Sequence, residues 1–191
     1  MKLKIVHKSY SCAPDTKEEL RNIIEERLEN DSNADLNDID VSNITDMSYL
    51  FYKLDPYNID ISKLDVSNVE NMREMFCNCY NFNTDLSGWD VSNVRDMYRI
   101  FTFCESFNSD LSGWDVSNVE NMLGMFVGCK WFNSDLSTWD VSNVKDMSFI
   151  FYKCTQFNSD LSSWDVSKIK DMHCMFDECD SMKELPEWYK S

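Results

Sequence analysis

Aspartates at a fixed spacing are the residues of this sequence with the most obvious capacity for chemistry. Rows of carboxylates could bind calcium or imitate the phosphates of a nucleic acid, but no loop of the D-x-D-x-D-G type is present. We therefore expect each carboxylate to accept a backbone N–H bond at a turn, and calcium binding stays open. One row, with a period of 25, is Asp60, Asp85, Asp110, Asp135 and Asp160. The second starts at Asp65 and continues as the acidic ladder of Asp90, Asp115, Asp140 and Asp165.

The sequence offers little material for catalysis. It contains two histidines, His7 and His173, and four glycines. Neither a Ser-His-Asp arrangement nor a glycine-rich phosphate loop is therefore indicated. The serines and aspartates of the repeat recur by period, whereas a catalytic site needs a unique and irregular arrangement. We predict no enzyme activity, no catalytic residues, no cofactor and no assigned metal site.

The composition excludes several other classes of protein. The 191-residue chain has a formal net charge of −16, which argues against direct binding of nucleic acid or of anionic lipid. No apolar run approaches the ~20 residues of a membrane helix. Residues 1–11 contain no apolar stretch of the kind found in a secretory signal. We therefore expect a cytoplasmic protein with reduced cysteines.

A strict repeat organises the chain. Six units of 25 residues follow one another without insertion from Val41 to Lys190, and the last decays as a terminal cap would. Self-similarity at such a period is typical of solenoids, in which each unit buries its apolar face against its neighbours. We predict two parts. Residues 1–40 form a strand and helix cap with a partial repeat, and residues 41–190 form the six repeats.

Each unit contains two apolar periodicities. In the fourth unit, the apolar residues between Val119 and Cys129 have helical spacing. Residues 136–141 read L-x-x-W-x-V, which is the spacing of a leucine-rich-repeat strand. The sequence therefore predicts an α/β, leucine-rich-repeat-like solenoid with one short helix and one short strand in every unit.

The first 30 residues lie outside the repeat. Residues 2–10 could pair as an edge strand. Thr16 and Glu19 have the spacing of a capping box, which indicates that a helix begins there. This helix would end near Glu29 and would carry on one face Leu20, Ile23, Ile24 and Leu28. We expect it to act as an N-terminal cap that covers the exposed end of the solenoid.

The repeat leaves some outward positions free to vary, and these positions are not simply polar. A solvated helix face would carry Glu and Lys there, and an extended apolar strip usually marks an interface. We therefore predict binding to a protein partner, or closure of a homodimer, through this strip. The predicted binding face consists of Tyr49, Tyr52, Tyr98, Arg99, Phe103, Leu123, Val127, Trp131, Phe149 and Tyr152.

Recurring motifs point to a known class of repeat. The sequence WDVSNV occurs at Trp89–Val94, Trp114–Val119 and Trp139–Val144, and M-x-x-M-F-x-x-C-x-x-F-N occupies Met122–Asn133. With these motifs and LPEWY at 185–189, the chain resembles the BspA-like bacterial surface-protein repeat, a class of leucine-rich repeat. The resemblance implies a right-handed α/β solenoid, usually on secreted or surface proteins that act as adhesins or host-binding modules.

Three functions follow from these observations. We predict a non-enzymatic, intracellular protein–protein interaction module, and its acidity favours a partner with a basic surface. The first alternative is an acidic inhibitor that mimics nucleic acid or blocks a nuclease, a toxin or an RNA-guided effector, as an immunity or anti-defence protein would. The second alternative is a surface adhesin.

Overall fold

The computed structural model describes residues 10–189. Its α-helix, α1, spans Lys17–Asn30. Within the described residues, strand pairing is limited to isolated parallel bridges of one residue each. The edge strand predicted over residues 2–10 lies outside the described residues, apart from Tyr10. Five of the bridges join residues 25 apart in one row, namely Asp46, Asn71, Asp96, Asn121, Asp146 and Asp171.

The predicted fold class, an α/β leucine-rich-repeat-like solenoid with a helix and a strand in every unit, is wrong. Throughout the described part of the repeat the backbone forms consecutive turns. The predicted helix between Val119 and Cys129 is a run of such turns. The predicted strand at 136–141 is interrupted by a turn, in which the N–H of Trp139 donates to the carbonyl of Leu136. A second turn begins at Val141. What remains of the prediction is the stacking of units, each of which forms one coil.

Local hydrogen bonds explain why turns replace the helix. In coil four the Asn121 Oδ1 atom accepts the N–H of Leu123 at 3.1 Å, and the N–H of Met125 then donates to the carbonyl of Met122 at 3.1 Å. Bonds from an Asn or Asp side chain to the nearby backbone compete with helix formation. Successive turns also place apolar residues three and four positions apart, so they produce the same periodicity as a helix.

The backbone N–H groups that a helix would use internally pair with the next coil. This pattern joins every pair of neighbouring coils, and it leaves no N–H group free for a helical bond at those positions. In coil four the donors are the N–H groups of Met122, Gly124, Phe126 and Gly128. Their acceptors, at 2.8–3.1 Å, are the carbonyls of Asp146, Ser148, Ile150 and Tyr152.

Equivalent side chains stack in columns inside the coils. Neighbouring phenylalanine rings have centroids 5.1–5.8 Å apart. The polar atoms of the core are satisfied, because Trp139 Nε1 donates to the Leu111 carbonyl and Cys129 Sγ donates to the Phe101 carbonyl, both at 3.0 Å. The column is formed by Phe51, Phe76, Phe101, Phe126, Phe151 and Phe176.

Each coil also holds a pair of residues with positive φ, four positions apart, and the first coil has a third such residue, Asp55. The first coil has Tyr49 at 61° and Lys53 at 60°, and the pair recurs in all six coils. A positive φ at the third residue is what a type II turn requires. In coil four both residues are glycines, Gly124 and Gly128. Every other coil places side-chain-bearing residues there, at a cost of about 1–2 kcal/mol for each residue.

This geometry predicts an unusual ranking of two substitutions at Lys153, which has φ 63°. The Lys153→Gly variant should be more stable than Lys153→Ala by about 0.5–1 kcal/mol, because glycine adopts positive φ without strain and loses only part of that gain to unfolded-state entropy. In a helix the order would be reversed by about 1 kcal/mol. Urea unfolding of both variants measures the difference. A more stable alanine variant would contradict the turn structure.

The helix predicted to follow Thr16 is present as α1. Thr16 Oγ1 accepts the N–H of Glu19 at 3.2 Å, and α1 ends at Asn30, one residue beyond the predicted end near Glu29. Its Leu20 and Ile24 side chains are buried in the same apolar cluster as the repeat. The helix therefore contributes directly to the core.

The Arg21 side chain of α1 covers the open edge of the first coil. Its Nη1 atom donates to the carbonyls of Tyr49 at 2.5 Å and of Leu50 at 2.9 Å. In the second coil the carbonyl of Met75, equivalent to that of Leu50, accepts an N–H from the preceding coil. Arg21 thus supplies donors that a preceding coil would otherwise supply.

Candidate binding surface

The structure leaves all ten residues of the predicted binding face at least partly accessible. Arg99 is exposed, and among the aromatic residues Trp131 is 63% exposed, Tyr49 40% and Phe103 39%. Tyr49, Arg99, Phe103 and Phe149 occupy positive-φ positions of their coils. The half-buried members are Tyr52, Tyr98, Leu123, Val127, Phe149 and Tyr152.

One group of rings lies on the first three coils, and an arginine that sequence reasoning missed organises it. The Arg73 guanidinium lies 3.7 Å from the ring centroid of Tyr98, and its Nε atom donates to Tyr49 Oη at 3.2 Å. Arg99 approaches the same Tyr98 ring at 5.1 Å, and Tyr49 meets Tyr52 edge to face at 5.8 Å. Arg73 therefore links rings of two different coils into one surface cluster.

A second group of rings lies on the last two coils. Phe149 contacts Tyr152 edge to face at 5.8 Å and His173 at 4.3 Å. The Tyr152 hydroxyl donates to Glu178 at 3.0 Å. His173 was not part of the predicted face, because its coil is the degenerate one and the pattern gave no reason to include it.

Coil four separates the two groups with small residues. A Cβ atom added to Gly128 would lie only 2.7 Å from Phe103 Cδ1, so the Phe103 ring rests directly over this glycine. A Cβ atom on Gly124 would lie 3.2 Å from Arg99 Cγ. The side chains of coil three therefore lean onto coil four and fill the space that the two glycines leave.

Two exposed aromatic residues lie just after the buried cysteines of their coils. Trp131 of coil four was predicted from the sequence, whereas Tyr80, which is 46% exposed, was not. Tyr80 directly follows the buried Cys79, in the same way as Lys130 follows the buried Cys129. This position next to a buried cysteine is the sequence signal that could have identified Tyr80 as exposed. An ion pair of 2.7 Å between Lys130 and Glu105 lies on the same edge.

The acidic ladder is exposed and its carboxylates are oriented by the backbone. Each Oδ1 atom accepts the N–H of the serine two residues later, at 3.0–3.1 Å, which confirms the predicted turn bonding. Hydrogen bonds from Ser142 lower the pKa of Asp140 below its ordinary value. Within residues 10–189 no group of three or more His, Cys, Asp and Glu side chains is arranged to hold a metal ion. The ladder is formed by Asp90, Asp115, Asp140 and Asp165.

Across residues 10–189, no helix combines the length and the apolar character needed to cross a membrane.

Comparison with known proteins identifies a family. The family described as "Mycoplasma protein of unknown function, DUF285" matches residues 19–127 and 108–191, so the two matches together cover most of α1 and the whole repeat. No curated protein and no solved structure matches the chain. The finer resemblance to the BspA-like class is not confirmed by this match. The chain belongs to the DUF285 family of Mycoplasma proteins of unknown function.

Proposed function

We propose that this protein is a non-enzymatic module that binds a protein partner through the predicted binding face. The observation that carries the proposal is the exposure of large aromatic side chains, namely Trp131, Tyr49 and Phe103, on a coil surface held by backbone hydrogen bonds. An extended apolar strip on a charged chain costs solubility unless a partner covers it. The face therefore has the composition of an interface.

The energetics favour a few aromatic anchors. Trp, Tyr and Arg are the residues that most often dominate binding energy at protein interfaces. Here they project from a backbone in which at least four backbone hydrogen bonds join each pair of neighbouring coils. Because that backbone is already ordered, binding loses less conformational entropy than it would with a flexible loop.

Electrostatics narrow the kind of partner. The chain has a formal net charge of −16, and its exposed carboxylate rows face solvent. Long-range attraction would raise the association rate with a partner that has a basic surface, and salt would screen this effect. We therefore propose a partner with an apolar contact patch and basic surroundings.

A double substitution tests the proposal. The purified chain is used to capture a partner from its source cells, and the partner is then purified and titrated in a defined binding assay. Phe103→Ala combined with Trp131→Ala should weaken binding by about 30-fold or more, the effect of losing an interface hot spot. Tyr57→Ala is the matched control, because Tyr57 is 65% exposed but lies outside the face. Unchanged affinity of the double variant would refute the proposal.

Neutralising the acidic ladder separates this function from the acidic inhibitor. The variant carries Asp→Asn at Asp90, Asp115, Asp140 and Asp165. Asparagine retains the side-chain oxygen that accepts the serine N–H, so the turns should persist. An aromatic binding module should only associate more slowly, whereas a nucleic-acid mimic should lose its binding. The adhesin alternative has support from the association of this family with surface-protein repeats, and fractionation of the source cells tests it.

A further inference from the structure

A groove on this acidic chain is lined mainly by cations. It has a volume of about 590 Å³ and is formed by coils three to six. Four basic side chains line it, Arg95, Lys145, Lys168 and Lys170, together with a single acid, Glu120. The groove is therefore a local reversal of the charge that the chain carries as a whole.

Two of these cations have no hydrogen-bonded or ion-paired partner within the described residues. Lys145 forms an ion pair with Glu120, and Lys168 Nζ donates to Asn143 Oδ1 at 3.0 Å. Arg95 and Lys170 make no side-chain hydrogen bond, close ion pair or ring contact with any of residues 10–189. Arg95 attracts Glu120 only at longer range, where it adds to the effect of Lys145 in lowering the Glu120 pKa. Unpaired cations are unexpected in a chain with 34 acidic and 18 basic residues. These two are consequently free to bind an external anion.

Backbone hydrogen bonds set the spacing of Arg95 and Lys170 along the groove. The N–H of Glu120 donates to the Arg95 carbonyl, that of Lys145 to the Glu120 carbonyl, and that of Lys170 to the Lys145 carbonyl, each at 2.9 Å. The four residues therefore occupy one row on consecutive coils, with Arg95 and Lys170 at its two ends. Chains paired by such backbone bonds lie about 4.8 Å apart. Three steps place the backbone at the two ends of the row roughly 14 Å apart, the distance spanned by about five consecutive residues of an extended chain with a rise of about 3.3 Å each.

We propose that this groove binds an extended acidic segment, five or six residues long, from a protein partner. Carboxylates near the two ends of the segment pair with Arg95 and Lys170. An uncharged stretch of the segment passes Glu120, which would repel a carboxylate at that point. A single small anion cannot reach both ends of the row, which is why the length of the groove favours a peptide.

The net charge of the chain does not prevent this contact. Screening limits the repulsion from distant aspartates to about 8 Å at physiological ionic strength, so charges in direct contact dominate. The site lies outside the predicted binding face and uses none of its ten residues. The inference therefore goes beyond the proposed function and can fail or succeed independently of it.

A synthetic peptide tests the groove on the full chain. The probe is a fluorescein-labelled peptide of six residues, Asp-Asp-Ser-Ser-Asp-Asp, and its binding is followed by fluorescence anisotropy at physiological ionic strength, where the repulsion from distant aspartates is screened. Lys170→Glu and, separately, Arg95→Glu should each raise the Kd by about tenfold or more. Lys183→Glu is the matched control, because Lys183 also lacks a partner in the described residues but lies outside the groove. It should change the Kd less than twofold.

Several results would overturn the inference. They are absence of binding, an equal effect of Lys183→Glu and Lys170→Glu, and equal affinity for a three-residue acidic peptide. Efficient competition by inorganic phosphate would show that one anion suffices, and tighter binding of a short thymidine oligonucleotide would indicate a nucleic-acid ligand. Loss of peptide binding in Lys170→Glu, with the affinity of the partner for the aromatic face retained, would establish two separate surfaces.

Discussion

Replacing Phe126 with alanine should lower the free energy of unfolding by about 3–5 kcal/mol, the cost typical of removing a buried aromatic side chain. Phe126 is fully buried in the central coils. Its ring stacks on Phe101 and Phe151 at 5.8 Å and on Phe132 at 4.1 Å, and Trp139 packs against it at 6.4 Å, so the cavity would be bordered by four aromatic rings. Urea unfolding followed by tryptophan fluorescence measures the loss.

The same substitution at the end of the column provides the control. Phe176 stacks on a single phenylalanine of the column, Phe151, and is otherwise covered by Trp188 and Tyr189. In a stack where each coil contacts only its neighbours, an end residue supports fewer interactions than a central one. Phe176→Ala should therefore cost clearly less than Phe126→Ala. Equal costs would show that the coils are not coupled through this column.

Ile24→Ala in α1 should lower the stability of the whole chain by about 2–5 kcal/mol. Ile24 is 1% exposed and belongs to the same apolar cluster as the coils. Because α1 covers the first coil, unfolding of α1 would expose apolar side chains of that coil. It would also expose the carbonyls to which Arg21 donates hydrogen bonds. Thermal unfolding followed by near-ultraviolet circular dichroism reports on the aromatic columns and thus on the repeat itself.

The neighbouring Ile23 separates this effect from a simple change in helix propensity. Ile23 is only partly buried against the same cluster. Ile23→Ala makes the same chemical change on the same helix and should cost markedly less. If Ile24→Ala left the unfolding transition of the repeat unchanged, α1 would be an independent segment rather than a part of the core.

The columns of this fold could be predicted from the sequence because residue types recur with a constant period. Phe101, Phe126 and Phe151 occupy equivalent positions, and a chain that repeats without insertion can bury them only by stacking. The turn role of Asp140 was predictable for a similar reason, since a serine two residues later offers a backbone donor. Thr16 and Glu19 likewise indicated where α1 begins.

The backbone conformation of the coils could not be predicted in the same way. Apolar spacing of three and four residues is shared by a helix and by consecutive turns, so the pattern around Met122 and Phe126 does not distinguish them. The distinction depends on where the N–H groups pair, 24 residues away, which no local pattern shows. The positive φ angles could not be predicted either, because Arg99 and Phe103 are not residue types that favour positive φ, whereas glycine is.

Only part of the candidate binding face could be predicted from the sequence. Outward positions are those the repeat leaves variable, so Phe149 and Trp131 could be named from their types alone. Arg73 was missed because its role depends on reaching a tyrosine on each neighbouring coil. Tyr80 was missed because its outward direction follows from the turn after the cysteine column, which the predicted helix placed differently.

The first of the two paired positive-φ positions, which carries a different residue in each coil, has a practical consequence for protein engineering. In the first five coils the backbone N–H at this position donates to the next coil whatever the side chain is, so the side chain can change while the scaffold keeps this hydrogen bond. A combinatorial library randomised at this position in adjacent coils should retain the fold and yield reagents of new specificity, as a repeat scaffold for display. Natural variation already spans six side chains, those of Tyr49, Glu74, Arg99, Gly124, Phe149 and Cys174.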